Sequence, residues 1–372
     1  MSAKRRLRIG GRLDRYVTGL FVSSYATALL LVVGLFWIMD MATNLDKFLE
    51  PWTDGSRVPT SVLVRYYVLN LPYLFLQVAP FVTLVAGMFT VNRLLRDREM
   101  IATMGAGISA HRLLTPVFLG GVLAAIGMFG VREWVAQTVS FKRDALLAQL
   151  ENHGEEQSIG PLWLTDLSGS SVRLGHYHPG GGLRGERDAH VSDFEAFLRD
   201  AEGVTVIRAP KARWTGALWA LEEGTRTRML EDEKVVEDMQ VLSGFNFRPN
   251  LALTYHRARV NPLELSFSEV GQLQRRDPDN VVYQTLWQYQ LTFPLANIVL
   301  LLVGLPVMLG YERSRGSEKM ALGGLLAVFY FASDFVLRTM GLEGSLTPVL
   351  ASWLPVLFFG SLGVVLYDSM RT

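Results

Sequence analysis

Hydrophobic and polar positions along this chain fall into long blocks rather than a short repeat. Five stretches carry no charged side chain: Tyr16 to Met39, Tyr66 to Asn92, Leu113 to Val131, Val281 to Tyr311 and Gly344 to Tyr367. A sixth, Met320 to Gly341, is interrupted only by Asp334 and Arg338. At about 1.5 Å of rise per residue, about 20 apolar residues cross a hydrocarbon layer about 30 Å thick. All six stretches meet that length or come within a residue of it. The pattern therefore predicts six transmembrane helices. The basic start before the first block (Lys4, Arg5, Arg6, Arg8) resembles that of a signal peptide. Its apolar run is too long for one, however, and no small-x-small cleavage site precedes Asp40, so an uncleaved first helix is expected.

Between the third and fourth blocks the pattern changes. Arg132 to Asn280, about 150 residues, is polar and long enough for its own core. It opens with a charged helical exit, Phe141 to Glu151. Short β-type runs bounded by Gly, Pro and Asp follow: Leu162 to Thr165, Val172 to Tyr177, His190 to Phe197, Val204 to Ile207, Ala217 to Leu221 and Leu251 to Tyr255. Trp163, Trp214 and Trp219 are the expected core bulk, and Gly271 to Asp279 reads as a polar linker. Many short strands without helical runs suggest a sandwich or jelly roll. The expected fold class is a polytopic α-helical membrane protein, three helices plus three, with an inserted all-β jelly-roll-like domain. The boundaries are 1–135, 136–280 and 281–372.

Composition agrees. The chain is 49% hydrophobic and 19% charged, against about 25% charged in soluble proteins. A net charge of +1 argues against a nucleic-acid partner. With no Cys, disulfides, Cys-ligated zinc, iron–sulfur clusters and thiol nucleophiles are excluded. Lys and Arg collect in the N-terminal tail (Lys4 to Arg15), after the second block (Arg93, Arg96, Arg98, Arg112) and after the fourth (Arg313, Arg315, Lys319). Basic short loops face the cytoplasm, so both termini are expected inside and the large insert outside.

Catalytic chemistry is sparse. There is no Gly-x-x-x-x-Gly-Lys-Ser/Thr, His-Glu-x-x-His or Gly-x-Ser-x-Gly, hence no P-loop nucleotide site and no familiar zinc or serine hydrolase motif. Gly180 to Gly182 read as a flexible turn. His176 and His178, with His190 nearby, would alternate on one strand face, a solvent-facing arrangement more than a metal pair, and no metal or cofactor is expected. Ser168 and Ser170 sit in a polar turn. Asp334 and Arg338 are spaced i, i+4 inside a membrane helix, where charge is costly. They read either as a self-neutralising pair near the interface or as a substrate- or ion-coupling site. Phe36, Trp37, Phe329, Tyr330 and Phe331 are aromatic candidates for lining an interhelical cavity. The loop after the second block has an apolar side (Leu94, Leu95, Ile101, Met104, Ile108) and a charged patch (Arg96, Asp97, Arg98, Glu99) before Gly105 and Gly107. It reads as an amphipathic helix at about 93–108 along the cytoplasmic surface, either a topology-fixing loop or a docking helix for a cytoplasmic partner.

The run Gly87-Met-Phe-Thr-Val-Asn-Arg-Leu-Leu-Arg-Asp-Arg-Glu99-Met-Ile-Ala-Thr-Met-Gly-Ala-Gly107-Ile-Ser109 resembles the lipopolysaccharide-export permeases of the LptF/LptG (YjgP/YjgQ) family. So do Phe293-Pro294, Leu305-Pro306, Gly341 to Pro348, Ala351-Ser-Trp353-Leu-Pro355, Ala209-Pro-Lys-Ala212-Arg-Trp214 and Trp219-x-Leu221-x-x-Gly224. The resemblance implies an inner-membrane permease subunit that pairs with a second homologous permease, extracts lipopolysaccharide and passes it through an outer β-jelly roll to a periplasmic bridge protein. A dimeric cytoplasmic ATP-binding subunit would supply the energy. The short helix would be the coupling helix, with Glu99 matching the family's docking acid beside Arg96, Asp97 and Arg98. The chain departs from relatives before Phe293, where Gln288, Tyr289 and Gln290 replace basic residues. At the outer end of the first helix, Asp40, Asp46 and Lys47 stand where some relatives carry several lysines, leaving Lys47 as that region's candidate phosphate contact. The rival readings are an ion-coupled secondary transporter using Asp334 and Arg338, a non-transporting scaffold with a ligand-binding β domain and, more weakly, an intramembrane hydrolase.

Overall fold

The computed structural model describes residues 11–52, 55–151, 158–166, 169–180, 188–200, 203–229, 234–242, 245, 247–310 and 316–370. Six helices are long and apolar enough to cross a membrane: α1 (Arg12–Phe48), α2 (Thr60–Arg96), α4 (Ala110–Thr138), α8 (Val281–Gly310), α9 (Gly316–Leu342) and α10 (Pro348–Asp368). Most overrun their apolar blocks, because once a helix is nucleated its polar flanks extend it at little further cost. The short α3 (Glu99–Gly105) follows α2, while α5 (Ser140–Glu151), α6 (Pro249–Val260) and α7 (Phe267–Arg276) lie between α4 and α8. The chain divides into two compact units, and the division falls within α1, α2, α4 and α8.

The helical unit comprises Met1–Asp40, Leu71–Val131 and Trp287–Thr372. Its core is aliphatic, with Val82, Leu84, Val91, Leu114, Val117, Leu301 and Leu305 essentially sealed. Helix pairs approach closely where a side chain is missing. A Cβ on Gly87 would stand 2.5 Å from Leu301 Cδ2, the small-residue contact by which membrane helices pack. One polar junction crosses this core: Thr83 Oγ1 donates to Asn297 Oδ1 (2.6 Å), and Asn297 Nδ2 donates to the Pro294 carbonyl (2.9 Å). Pro306 lies in the same helix α8 as Pro294, and Pro72, Pro80, Pro116 and Pro355 lie inside α2, α4 and α10, where each removes one backbone N–H from the helical ladder. Leu30, Leu35, Ile38, Val328, Phe335 and Leu357 are exposed, as expected of surfaces that meet lipid rather than water.

The second unit comprises Met41–Asn70 and Arg132–Leu286. Its strands β1 (Leu162–Thr165), β2 (Ser171–His178), β3 (His190–Asp200), β4 (Gly203–Trp214), β5 (Trp219–Met229) and β6 (Lys234–Val241) form one antiparallel sheet in sequential order. Among the described residues this is a single meander, without the second facing sheet of a jelly roll. The expected strands at the positions of β1 to β5 are present. Leu251 to Tyr255, however, is helical: Pro249 opens α6 at its first turn, where proline's fixed φ and missing N–H cost nothing. The apolar residues mistaken for a strand pack α6 against β1, and Tyr255 Oη donates to the Thr165 carbonyl (3.3 Å). The sixth strand is Lys234–Val241, a run too charged to read as β. The expected linker is mostly α7, begun by a capping box in which Ser266 and Glu269 satisfy each other's backbone N–H groups. Trp214 and Trp219 are core residues, and Trp219 Nε1 donates to the Phe247 carbonyl (2.9 Å). Trp163 is instead 51% exposed and stacks on Phe197. The Trp219-x-Leu221-x-x-Gly224 motif has a local cause: the β5–β6 register shifts between Ala220 and Gly224, Glu223 takes φ 53°, and a Cβ on Gly224 would collide with the Met239 carbonyl.

Candidate functional site

The loop between α2 and α4 is shorter in helix than the pattern suggests. α2 runs through Arg96, Arg98 turns left-handed (φ 60°), and α3 begins at Glu99. Thr103 Oγ1 folds back onto the Glu99 carbonyl (2.7 Å), and the helix ends before Gly107 at φ 81°. Left-handed backbone favours glycine at the exit; at Arg98 it is the cost of turning sharply between two helices.

Of the expected charged patch, Arg96, Asp97 and Arg98 are exposed, and Asp97 makes a loose ion pair with Arg93 at 3.9 Å, a contact worth little in water. Glu99 is partly buried, and Tyr16 Oη donates to its Oε1 at 2.8 Å. The apolar side is split: Leu94 and Met100 are buried, while Ile101 is 67% exposed beside exposed Ala102. Glu99 and Ile101 thus form a mixed acidic and apolar surface rather than an apolar face laid against its own protein. Beneath it Arg112 holds Asp14 through two hydrogen bonds, 2.6 Å to Oδ1 and 2.8 Å to Oδ2, and the Gly11 N–H also donates to Oδ2 (3.1 Å). His111 Nε2 lies 2.9 Å from the Tyr367 carbonyl, bringing the end of α10 to the same place. Neither Tyr16 nor Asp14 was legible as a partner, because each joins residues more than eighty positions away.

Asp334 and Arg338 do form a pair: Arg338 Nη1 donates to Asp334 Oδ2 at 3.3 Å, with side chains 12% and 8% exposed. The Arg338 guanidinium also sits 4.5 Å from the Tyr289 ring centroid. Tyr289 stands where relatives were expected to carry a basic residue, and it supplies a π face to the arginine. Next to it Trp353 Nε1 donates to Gln288 Oε1 (3.0 Å).

Of the aromatic candidates, Tyr330 is core, packed on Phe331 and Phe359. Trp37 and Phe36 are partly exposed. A cavity of about 980 Å³ lies elsewhere in the helical unit, between α1 and α4. Its apolar wall includes Phe21, Tyr25, Leu29, Pro116 and Leu123, and the Asp14–Arg112 pair stands among its lining residues. Lys47 is exposed on the last turn of α1, in the second unit. In the β unit, His178 and His190 are cross-strand partners whose rings stack at 4.5 Å, while His176 is exposed. Ser170 is buried, and its Oγ accepts from the Arg199 N–H (3.0 Å). Ser168, Gly181, Gly182, Arg313, Arg315 and the basic residues before Arg12 lie outside the described residues.

Six membrane-length helices, a separate antiparallel sheet and a short exposed helix after α2 define a polytopic membrane protein with a β domain. Within that class, the family described as "Lipopolysaccharide export system permease LptF/LptG" matches residues 15–369, and the chain belongs to it. Its relatives include the lipopolysaccharide export system permease protein LptF of Escherichia coli K12, 21% identical over 371 residues and covering 95% of this chain and 93% of that protein. The Shigella flexneri LptF is similar to the same extent. Membership makes the chain a transport component rather than an enzyme.

Proposed function

We propose that this protein is one permease subunit of an ATP-driven exporter that takes lipopolysaccharide, or a related glycolipid, from the inner membrane and passes it to a periplasmic bridge protein. The observation that carries this reading is the family match across nearly the whole chain. In this reading α1 to α4 form the first membrane part (1–135), the β region (136–280) is a periplasmic domain, and α8 to α10 (281–372) complete the bundle. Both termini are cytoplasmic. A second homologous permease completes the transport path.

No P-loop exists in the chain, so the energy comes from a dimeric cytoplasmic ATP-binding subunit. The surface around α3 is suited to receive it. Ile101 and Ala102 offer an apolar contact, and the Glu99 carboxylate, with Arg96, Asp97 and Arg98 beside it, offers a charge-assisted partner for a groove arginine. Tyr16 holds the carboxylate in one orientation before docking, which reduces the ordering cost of association. Lys47 and Trp37 are proposed lipid contacts. Asp334 and Arg338 neutralise each other, which suits a structural or lipid-facing role more than a proton site.

The decisive experiment co-purifies the ATP-binding subunit with wild-type and Glu99→Lys protein. Loss of the subunit and of export in the variant is expected; retention of both would refute the docking assignment.

A further inference from the structure

Where α6 and α7 meet, the β-containing unit holds a cavity of about 660 Å³ lined by Phe247, Arg248, Leu251, Gln272, Arg275 and Arg276, together with Asn250. Three arginines face one space with no carboxylate among the lining residues. Among the described residues none of the three forms an ion pair.

The neighbouring acids are already engaged. Glu269, the carboxylate of α7, accepts from Arg257 on Oε1 and from the Ser266 N–H on Oε2 (2.9 Å). Asp277, next after Arg276, accepts from Asn280 Nδ2 (3.0 Å). Arg275 uses its Nε on the Gly271 carbonyl (3.1 Å), which fixes the side chain and leaves both terminal nitrogens. Arg248 is the N-cap of α6, so the positive end of that helix adds to the same field. Like charges gathered in a concave site repel one another unless an anion joins them. Guanidinium groups match phosphate oxygens in pairs.

We propose that Arg248, Arg275 and Arg276 form a phosphate-binding pocket that takes the phosphate group of a membrane lipid. The lipid source follows from the chain. Only Asp277 to Asn280 separate α7 from the membrane-length α8, so the ends of the two helices lie at most about 18 Å apart at about 3.5 Å per step. The pocket is thus held close to one end of a membrane span. The inference rests on the export reading for the identity of that lipid but not for its phosphate chemistry.

The test uses the full-length protein in phosphatidylcholine nanodiscs carrying a diphosphorylated glucosamine-disaccharide lipid or its dephosphorylated form, with inorganic phosphate as a separate soluble probe. The variants are Arg248→Gln/Arg275→Gln, which alters only exposed side chains, and Arg275→Lys, which keeps the charge. Wild type should bind the phosphorylated lipid about tenfold or more tightly than the double variant does, the equivalent of one charge-assisted hydrogen bond. Arg275→Lys should retain most of the affinity. Millimolar inorganic phosphate should compete weakly. Tight binding of inorganic phosphate that the double variant loses, with lipid binding unchanged, would overturn the lipid source. Equal lipid binding by wild type and double variant, or no preference for the phosphorylated form, would overturn the site. Co-purification of the ATP-binding subunit is scored on the same preparations, so a failed export reading shows there while phosphate binding persists.

Discussion

At the scale of single residues, burial within the protein decides which charges must be satisfied. Asp14 and Arg112 meet in a two-pronged bridge with side chains 10% and 24% exposed. Removing one partner strands the other in a poorly hydrated place, at up to about 3–5 kcal/mol for a fully buried pair and less here because water reaches the arginine. Arg112→Ala is expected to destabilise the protein by about 2 kcal/mol, and Asp14→Ala/Arg112→Ala to recover part of that loss, measured as thermal unfolding in detergent. Tyr16→Phe removes only the donor to Glu99 and should weaken subunit association by about 0.5–1.5 kcal/mol, far less than Glu99→Lys; a binding titration separates them. In the β-containing unit, burial pushes the His256 imidazole below its ordinary value. The folded state therefore prefers the neutral ring. Its contribution is complete above about pH 6.5 and is lost as pH falls through the lowered folded value. Glu195 is held below the ordinary carboxylate range first by the hydrogen bond from Arg208, then by Arg173, so its contribution disappears only in stronger acid. His256→Gln should flatten the decline in stability just below pH 6.5 while leaving the more acidic part; an unchanged slope would remove His256 from that role.

At the scale of elements, backbone demands explain motifs that residue chemistry does not. Gly224 sits at the β5–β6 register shift against the Met239 carbonyl, and a methyl group there must push backbone rather than a side-chain tip. Gly224→Ala is expected to cost about 1–3 kcal/mol and to speed proteolysis of the β region. The charged β6 and the helix α6 show the opposite lesson. Local composition pointed away from a strand at Lys234–Val241 and towards one at Leu251–Tyr255, yet β6 is supported by pairing along β5, and Pro249 starts a helix whose apolar side β1 covers. α3 is a third case. The amphipathic pattern located it, but α2's continuation to Arg96 and the left-handed turn at Arg98 set where it begins, leaving Ile101 outward.

At the scale of the whole molecule, the absence of Cys makes orientation directly measurable. Single replacements Ile101→Cys and Trp163→Cys occupy exposed positions and introduce the only thiol in each variant. With α3 cytoplasmic and the sheet periplasmic, a membrane-impermeant maleimide added to spheroplasts should label Trp163→Cys and spare Ile101→Cys until the membrane is opened. Labelling in the reverse order would overturn the assigned topology. The six membrane-length helices and the inserted polar region were legible because lipid imposes a length and an apolarity on every crossing, a requirement each segment meets alone; the family was legible from local motifs such as Gly87 to Ser109. The proposed docking surface was half legible: Glu99 and its basic neighbours stand together in the chain, whereas Tyr16, Asp14 and Arg112 meet only after helices far apart in sequence pack. The sheet's last strand, the helical identity of α6, the burial of Tyr330 and the convergence of Arg248 with Arg275 and Arg276 were likewise settled by tertiary structure. Each depends on which surfaces come together, and no local stretch of residues carries that information.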